Sequence, residues 1–398
     1  MIFARATNPF IAIACGGTGG HLFPGLAVAE QLVARGSEVA LLISPKEVDQ
    51  QAVKSARGMT VVTLPAVALQ RGSRLAFLSG CWQSWRASRK LFQARPPHAV
   101  LAMGGFTSAP PIWAARQRGA KTFLHESNTL PGRANRWLAR IVDQAFVGFP
   151  QAATRLHVRE ATVTGTPVRH QFQPRDPAPS RAALGLDPAS PVVLVMGGSQ
   201  GANGINDLVR AALPVLAQRA PHWQWLHLTG PQDADTVKHA YAGLGLKAVV
   251  RPFLAEMDLA LGAATAAVSR AGASSLAELA AVRLPSLLVP FPYAADNHQW
   301  HNAAAFAASG AAHTLAQKDA TPGKVAAILQ ELVEQEFARE KMQAALAQWH
   351  APKAAEQIAE LILQAVRSAD ESSLSSEPAT APPTKVPTTE ERSWEAVA

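Results

Sequence analysis

Cysteine is nearly absent from this 398-residue chain, which holds only Cys15 and Cys81. That excludes a scaffold stapled by disulfides and suits a reducing compartment. Long apolar runs are missing too. The uncharged stretches 96–115 and 297–317 approach the ~20 residues that a membrane span requires. The first, however, carries Pro96, Pro97, Pro110 and Pro111, and the second is interrupted by His, Asn and Gln. Near the start, Arg5 precedes an apolar stretch ending at Cys15, but Phe10 to Cys15 is only six residues, too short for the hydrophobic region of a secretory signal. Neither a transmembrane helix nor a signal peptide is expected. With 48% hydrophobic and 17% charged residues, the composition is that of a globular protein long enough for two domains.

Acids are scarce in one window. From Ala66 to Arg140 twelve Arg or Lys meet a single acid, Glu126, a local charge of +11 against +8 for the whole chain. Such a patch attracts polyanions. Within it Leu78, Trp82, Trp85 and Phe92 recur at helical spacing beside Arg86, Arg89 and Lys90, the pattern of an amphipathic helix with a basic flank. One reading is a core-packing stripe with a solvated edge. The other is contact with an anionic membrane surface, where Trp82 and Trp85 sit at the headgroup boundary and the cations meet lipid phosphate. No nucleic-acid motif accompanies the patch, so nucleic acid is not the expected partner.

Short apolar runs alternate with helical patterns along most of the chain, which predicts an α/β fold built on parallel sheets. Pro9 to Ala14 reads as a strand, Pro24 to Arg35 as a helix closed by Gly36, and Val39 to Ile43 as a strand. The series restarts at Val192 to Met196, with a helix from about Gly201. Between the two lies Gln173 to Pro191, with five prolines, the expected linker. Two Rossmann-like domains are predicted to face each other across a cleft, residues 1–170 and 171–350, with ligands at the carboxyl ends of the strands. A last helix, 353–367, follows the kink at Pro352 and is expected to join the first domain. Residues 368–398, rich in Ser, Thr, Pro and Glu, read as a disordered tail.

Several familiar signatures are incomplete. Gly16-Gly17-Thr18-Gly19-Gly20-His21 suits close approach to a phosphate or sugar, but Leu22 stands where a dinucleotide fingerprint needs glycine. Gly323-Lys324 is followed by Val325, so no Walker site exists. His125-Glu126 lacks the second histidine of a zinc protease, and Asp233-Ala-Asp235 reads as a helix start where acids complement the dipole; no metal is expected. Gly197-Gly198-Ser199-Gln200-Gly201 formally matches a nucleophile elbow, which keeps a serine hydrolase using Ser199 as a rival. Ser269 to Glu278 opens a helix with small residues, whose amides could hold a diphosphate while Glu278 accepts from ribose hydroxyls.

Together these blocks resemble the MurG family. The match runs through GGTGGHLFPG at Gly16 to Gly25, Met103 to Phe106, Leu124 to Asn128, Gly165 to Arg169, Gly197 to Ala202, Ser269 to Glu278 and Asp296 to Asn302, in the family's order. The resemblance implies a GT-B fold and an inverting, metal-independent transfer of N-acetylglucosamine from UDP-N-acetylglucosamine to the muramyl 4-hydroxyl of an undecaprenyl-linked muramyl-peptide. The donor is a substrate, and no cofactor is implied. Thr18, Gly19 and Gly20 would lie near the phosphates and Asn128 beside the sugar. Arg169, Ser199, Leu254, Ala273, Ser274, Ser275, Leu276, Ala277 and Glu278 would frame UDP, and Gln299 would reach the donor sugar. His21 falls where the family places a candidate general base, with Glu126 the weaker candidate. The chain departs from the family at Phe106, Ser127 and His298. The resemblance further implies the cytoplasmic face of the bacterial inner membrane as location, and other cell-wall synthesis proteins as partners. A nucleotide-sugar epimerase of related fold is the alternative activity.

Overall fold

The computed structural model describes residues 8–46, 49, 50, 53, 56, 58–65, 74–198 and 201–375. Two parallel sheets form its framework. The first contains β1 (Phe10–Ala14), β2 (Glu38–Ile43), β3 (Thr60–Thr63), β4 (Ala99–Ala102), β5 (Lys121–Glu126), β6 (Gln144–Val147) and β7 (Ala161–Val163), in the order β3-β2-β1-β4-β5-β6-β7. The second contains β8 (Val192–Met196), β9 (Gln224–Leu228), β10 (Lys247–Arg251), β11 (Ala266–Ser269), β12 (Ser286–Leu288) and β13 (His313–Thr314), in the order β10-β9-β8-β11-β12-β13. Strand β1 is buried at every position, as is β8, because crossover helices cover both faces of such sheets. In each sheet the strand order reverses beside the first strand, between β1 and β4 and between β8 and β11. These reversals open the crevices in which open α/β sheets bind ligands.

The helix after β1 runs Gly19–Ala34, starting earlier than the sequence pattern indicated, with Pro24 inside it. Gly25 permits this packing, because a Cβ there would sit 2.7 Å from Cβ of Cys15. The helix after β8 runs Asn203–Arg219. The expected linker is not a free connection: Pro177–Ala183 is helical, with Asp176 accepting from the Ala178 amide at 3.0 Å. An N-cap acid followed by proline starts a helix at little cost. Arg181 then fixes it to the second sheet, donating to the carbonyls of Ala263 and Pro188 and to Thr265 Oγ1.

The chain returns to the first sheet at its end. Ile358, Ala359, Ile362 and Val366 of the helix Ala354–Ser375 pack with Ile11, Ile13 and Leu32. This helix continues past Arg367, where the tail was expected to begin, because no Pro or Gly interrupts it before Pro378. The remainder of the expected tail, 376–398, lies outside the described residues. Phe149, which follows β6, crosses to the second core and packs against Phe306 and Trp349.

The basic helix spans Arg74–Ala94, and its apolar stripe is divided. Phe92 is fully buried and Trp85 packs against the first core, whereas Leu75, Leu78 and Trp82 are 84%, 60% and 55% exposed. Small residues explain the division. Ser84 and Ser88 are buried, so this side of the helix lies close to its neighbour Ala109–Arg116, and Trp85 is drawn inward with it. The expected pairing of Trp82 with Trp85 as two outward anchors is therefore corrected to Trp82 alone on this helix. Two tryptophans the sequence reading did not single out, Trp113 and Trp137, are exposed and stack at 6.4 Å on the adjoining helices.

Candidate active site

The first glycine turn is held from below. Gly17, at φ +112°, donates its amide to Asp49 Oδ2 at 2.6 Å, and Asp49 also accepts from the Ser44 amide and hydroxyl at 3.2 and 2.5 Å. Lys46 Nζ donates to the Gly17 carbonyl at 2.9 Å. The Gly17 amide is thus occupied, while the amides of Thr18, Gly19 and Gly20 have no protein acceptor among the described residues. These are the unpaired N–H groups that make a helix start attractive to anions. Phe106 lies over the turn, where a Cβ on Gly17 would meet its ring at 3.2 Å.

His21 stands one turn in, with Nδ1 3.2 Å from Thr18 Oγ1. Gly104 and Gly105, both at positive φ, cross the imidazole so closely that side chains there would lie 3.1 Å from Nε2 and 3.0 Å from Cε1. Burial pushes the His21 pKa down to about 4, a shift that Asp49 opposes and that His298 and Lys46 reinforce. The ring is therefore neutral at pH 7.

Glu126, at the end of β5, is buried and satisfied. Its Oε1 accepts from the Asn128 amide and side chain at 2.9 and 3.0 Å, and its Oε2 from the Gly132 amide and Asn135 Nδ2, both at 2.9 Å. Burial raises its pKa and these bonds oppose the rise. Three of these four donors belong to the turn 127–132, which holds Asn128 out toward the second sheet. His125 is likewise engaged, with Nε2 3.1 Å from the Gly165 carbonyl and Nδ1 3.2 Å from Ser127 Oγ.

On the opposite side, Gly272 precedes the helix Ala273–Val282, and its carbonyl accepts from the Leu276 amide. The amides of Ala273, Ser274 and Ser275 have no protein acceptor among the described residues. Ala277 and Glu278 follow within this helix. Glu278 forms no hydrogen bond or ion pair with the described residues, and burial raises its pKa to about 7 despite the nearby Arg169. The Arg169 guanidinium is stacked between Phe23 and Phe172, 4.5 and 5.0 Å from the ring centres, and its Nε has no partner among the described residues. Arg169 thus links the two sides, touching the first glycine helix and neighbouring Glu278. Gln299 Oε1 accepts from the amides of Ala271 and Phe291 at 3.2 and 2.9 Å, and its NH2 group makes no bond among the described residues.

A cavity of about 470 Å³ opens beside these groups, lined by Gly201, Asn203, Arg270, Tyr293, Gln299 and Gln317 among others. Leu254 is buried in the second core. Ser199 lies outside the described residues. Gly201 next to it has φ +73°, and a Cβ there would fall 2.2 Å from the Thr229 carbonyl oxygen, so only glycine turns here. Among the described residues, no group of three or more His, Cys, Asp or Glu is placed to hold a metal ion. Asp233 departs from the capping role. It makes no cap bond and instead accepts from Asn206 Nδ2 at 2.7 Å, beside a buried His227.

Sequence reasoning missed Asp49 and Lys46, which lie in no motif, and Arg270, which it read only as part of a small-residue block. Arg270 is buried and donates to the carbonyls of Val289 and Pro290 and to Gln317 Oε1. Burial lowers its pKa to about 10, so it remains a cation below the 290–299 segment.

Residues 11–147 match the glycosyltransferase family 28 N-terminal domain and residues 192–358 its C-terminal domain. The UDP-N-acetylglucosamine--N-acetylmuramyl-(pentapeptide) pyrophosphoryl-undecaprenol N-acetylglucosamine transferase of Anaeromyxobacter dehalogenans is 35% identical over 364 residues, covering 87% of this chain and 91% of its own. Among solved structures, Acinetobacter baumannii MurG superposes with a TM-score of 0.69 at 25% identity, over 90% of this chain and 99% of its own. A UDP-GlcNAc 2-epimerase from Neisseria meningitidis, solved bound to UDP-GlcNAc, shares the fold at TM-score 0.66 and 12% identity, over 89% of this chain and 100% of its own.

Proposed function

The chain belongs to glycosyltransferase family 28, among the MurG enzymes that transfer N-acetylglucosamine onto the lipid-linked muramyl-peptide of peptidoglycan synthesis, and from that premise we propose which of its residues perform the transfer. The donor is UDP-N-acetylglucosamine, and the reaction converts lipid I to lipid II. The similarity to the epimerase, at 12% identity, concerns the fold alone.

The assignment of residues rests on one observation: two helix starts whose amides at 18–20 and 273–275 have no acceptor among the described residues border the space beside Glu278, Arg169 and the Gln299 amide, which likewise find no competing partner among them. Residues 171–350 hold the donor. Ala273, Ser274, Ser275 and the Ser199 turn bind its diphosphate, Glu278 its ribose, Leu254, Leu276 and Ala277 border the nucleoside, and Gln299 donates to the sugar. The first sheet and the last helix carry the acceptor, with Thr18, Gly19 and Gly20 facing its phosphates and Asn128 beside the sugar. The muramyl 4-hydroxyl oxygen attacks the anomeric carbon, the bond from that carbon to UDP breaks, and the hydroxyl proton passes to His21. We assign the Nδ1–H tautomer, bonded to Thr18 Oγ1, which leaves the Nε2 lone pair for that proton. Charge on the departing UDP is stabilised by the helix amides and Arg169, and no step uses a metal. Glu126 positions Asn128 rather than taking the proton.

Incubation with UDP-N-acetylglucosamine, with and without a lipid-linked muramyl acceptor, tests this reading. UDP release is expected only with acceptor; epimerised donor formed without acceptor would refute it.

Among the described residues, no helix is long and apolar enough to cross a membrane. A lipid-linked acceptor keeps its chain in the bilayer, which puts its headgroup at the membrane surface. We assign contact with that surface, on the cytoplasmic face of the inner membrane, to Leu75, Leu78 and Trp82 with Arg86, Arg89 and Lys90, continued by Trp113 and Trp137. Binding to vesicles containing anionic lipid is expected to weaken with salt. The triple variant Arg86→Gln, Arg89→Gln, Lys90→Gln should lower it at least about tenfold with UDP affinity intact. Trp82→Ala should reduce sedimentation, whereas Trp85→Ala should mainly lower thermal stability, because that ring packs inward. Equal sedimentation of wild type and triple variant would move the contact elsewhere.

A further inference from the structure

Asn302, in the helix His298–Ala308 of the second sheet's domain, is fully buried, and three of its four side-chain bonds reach across to the first domain. Its Oδ1 accepts from the amide and hydroxyl of Thr129 at 2.9 and 3.0 Å. Its Nδ2 donates to Asn128 Oδ1 at 3.0 Å and to the Ala271 carbonyl at 3.2 Å. Asn128 belongs to the turn shaped by Glu126, on the acceptor side. Ala271 opens the donor segment, and its amide is held by Gln299. One amide group therefore touches both substrate-binding segments at once.

The segment before this helix is constrained in the same direction. Asp296 and Asn297 both have left-handed backbones, at φ +50° and +53°. Two successive non-glycine residues in that region persist only where the surroundings hold them. Here the Asn297 amide donates to the Ala294 carbonyl at 2.9 Å, and from across the cleft Arg133 and Arg136 bond the Asp296 carboxylate at 3.3 and 2.7 Å.

We propose that Asn302 is a positioning residue that couples closure of the two domains to the orientation of Asn128, so that the acceptor segment is set only when the donor segment is docked against it. The proposal builds on the transferase reading above. A buried amide with four satisfied bonds fixes its neighbours in one geometry, and opening the cleft would break three of those bonds together. The ion pairs of Asp296 lie at the exposed rim, where such pairs contribute little, so the buried bonds of Asn302 carry the coupling.

The test is Asn302→Asp, which keeps the shape and the bonds from Thr129 but sets an oxygen against the Asn128 and Ala271 oxygens. Turnover per bound acceptor is expected to fall at least about tenfold while the UDP dissociation constant, measured by calorimetry, stays within about twofold. Asn128→Ala combined with Asn302→Asp should cost no more than Asn128→Ala alone, since Asn302 acts through Asn128. Small-angle scattering should show a larger radius of gyration for Asn302→Asp than for wild type, a readout independent of activity. Thr129→Val, which deletes only a hydroxyl donor, should move the same quantities less and replaces Asn302→Asp if that variant does not fold. Additive losses, a parallel loss of UDP affinity, or superimposable scattering with unchanged turnover would overturn the proposal. Absence of acceptor-dependent UDP release by the wild type would instead strike the transferase reading, leaving the scattering result to decide on closure.

Discussion

Replacing His21 with Gln is expected to lower kcat by about 10²- to 10⁴-fold, the usual contribution of a positioned general base, and to leave UDP affinity nearly unchanged. The separation follows from placement. His21 sits at the first glycine turn beneath Gly104 and Gly105, whereas the nucleotide residues belong to the second sheet. The pH dependence has a definite sign. A base acts when unprotonated, and burial holds the His21 pKa at about 4, so its loss of activity belongs to the acid side. The wild-type rate should be flat from neutral pH down to about 5 and fall below that, rather than bending near the ordinary histidine value of about 6.5. Glu126→Gln provides the contrast. Both Glu126 oxygens accept from donors, so an amide there turns one NH2 toward other N–H groups and should appear first as a lower unfolding temperature. If His21→Gln retained kcat within about threefold, the proton would have to go elsewhere.

The architecture was legible because it is written in local patterns. Buried strands such as Phe10–Ala14 and Val192–Met196 are continuous apolar runs, each followed by glycines that only a tight turn explains, and their repetition gives two sheets. What was not legible depends on pairs of residues distant in sequence. Asp49 supports the Gly17 turn from 32 positions away, and Asn302 meets Thr129 across 173; Asp49 lies in no motif, and the 296–302 block in which Asn302 falls says nothing of Thr129. The fate of Trp85 was hidden for a related reason. Helical spacing places it with Trp82, but which of the two turns inward is decided by the buried Ser84 and Ser88 and by the neighbouring helix. The helix Pro177–Ala183 was masked by its prolines, which mark a connection in sequence and also suit the first turn of a helix.

The donor side carries the second large effect, at Glu278. A half-buried carboxylate with no partner among the described residues is costly to keep unless a ligand supplies one, and burial has raised its pKa to about 7. Ribose hydroxyls are the donors that UDP offers. A charge-assisted hydrogen bond of this kind contributes roughly 1.5–3 kcal/mol, so Glu278→Ala should weaken UDP binding by about 10- to 150-fold in calorimetry. The sign of the pH effect follows from the same shift. The free carboxyl is partly protonated at neutral pH, and a ligand that donates to the ionised form binds best once that proton has left. Wild-type affinity should therefore gain on that of Glu278→Gln as pH rises through about 7, and the two should converge below pH 6. Measuring both proteins against the same UDP removes the titration of the nucleotide phosphate from the comparison. Arg169→Ala supplies an internal check. Its guanidinium lowers the Glu278 pKa, so its removal should move the pH at which wild-type affinity rises upward, in addition to weakening UDP. An Ala variant of Glu278 with unchanged affinity, or a wild-type curve parallel to that of Glu278→Gln across the range, would take the ribose away from this carboxylate and leave Glu278 as an acid near the start of its own helix.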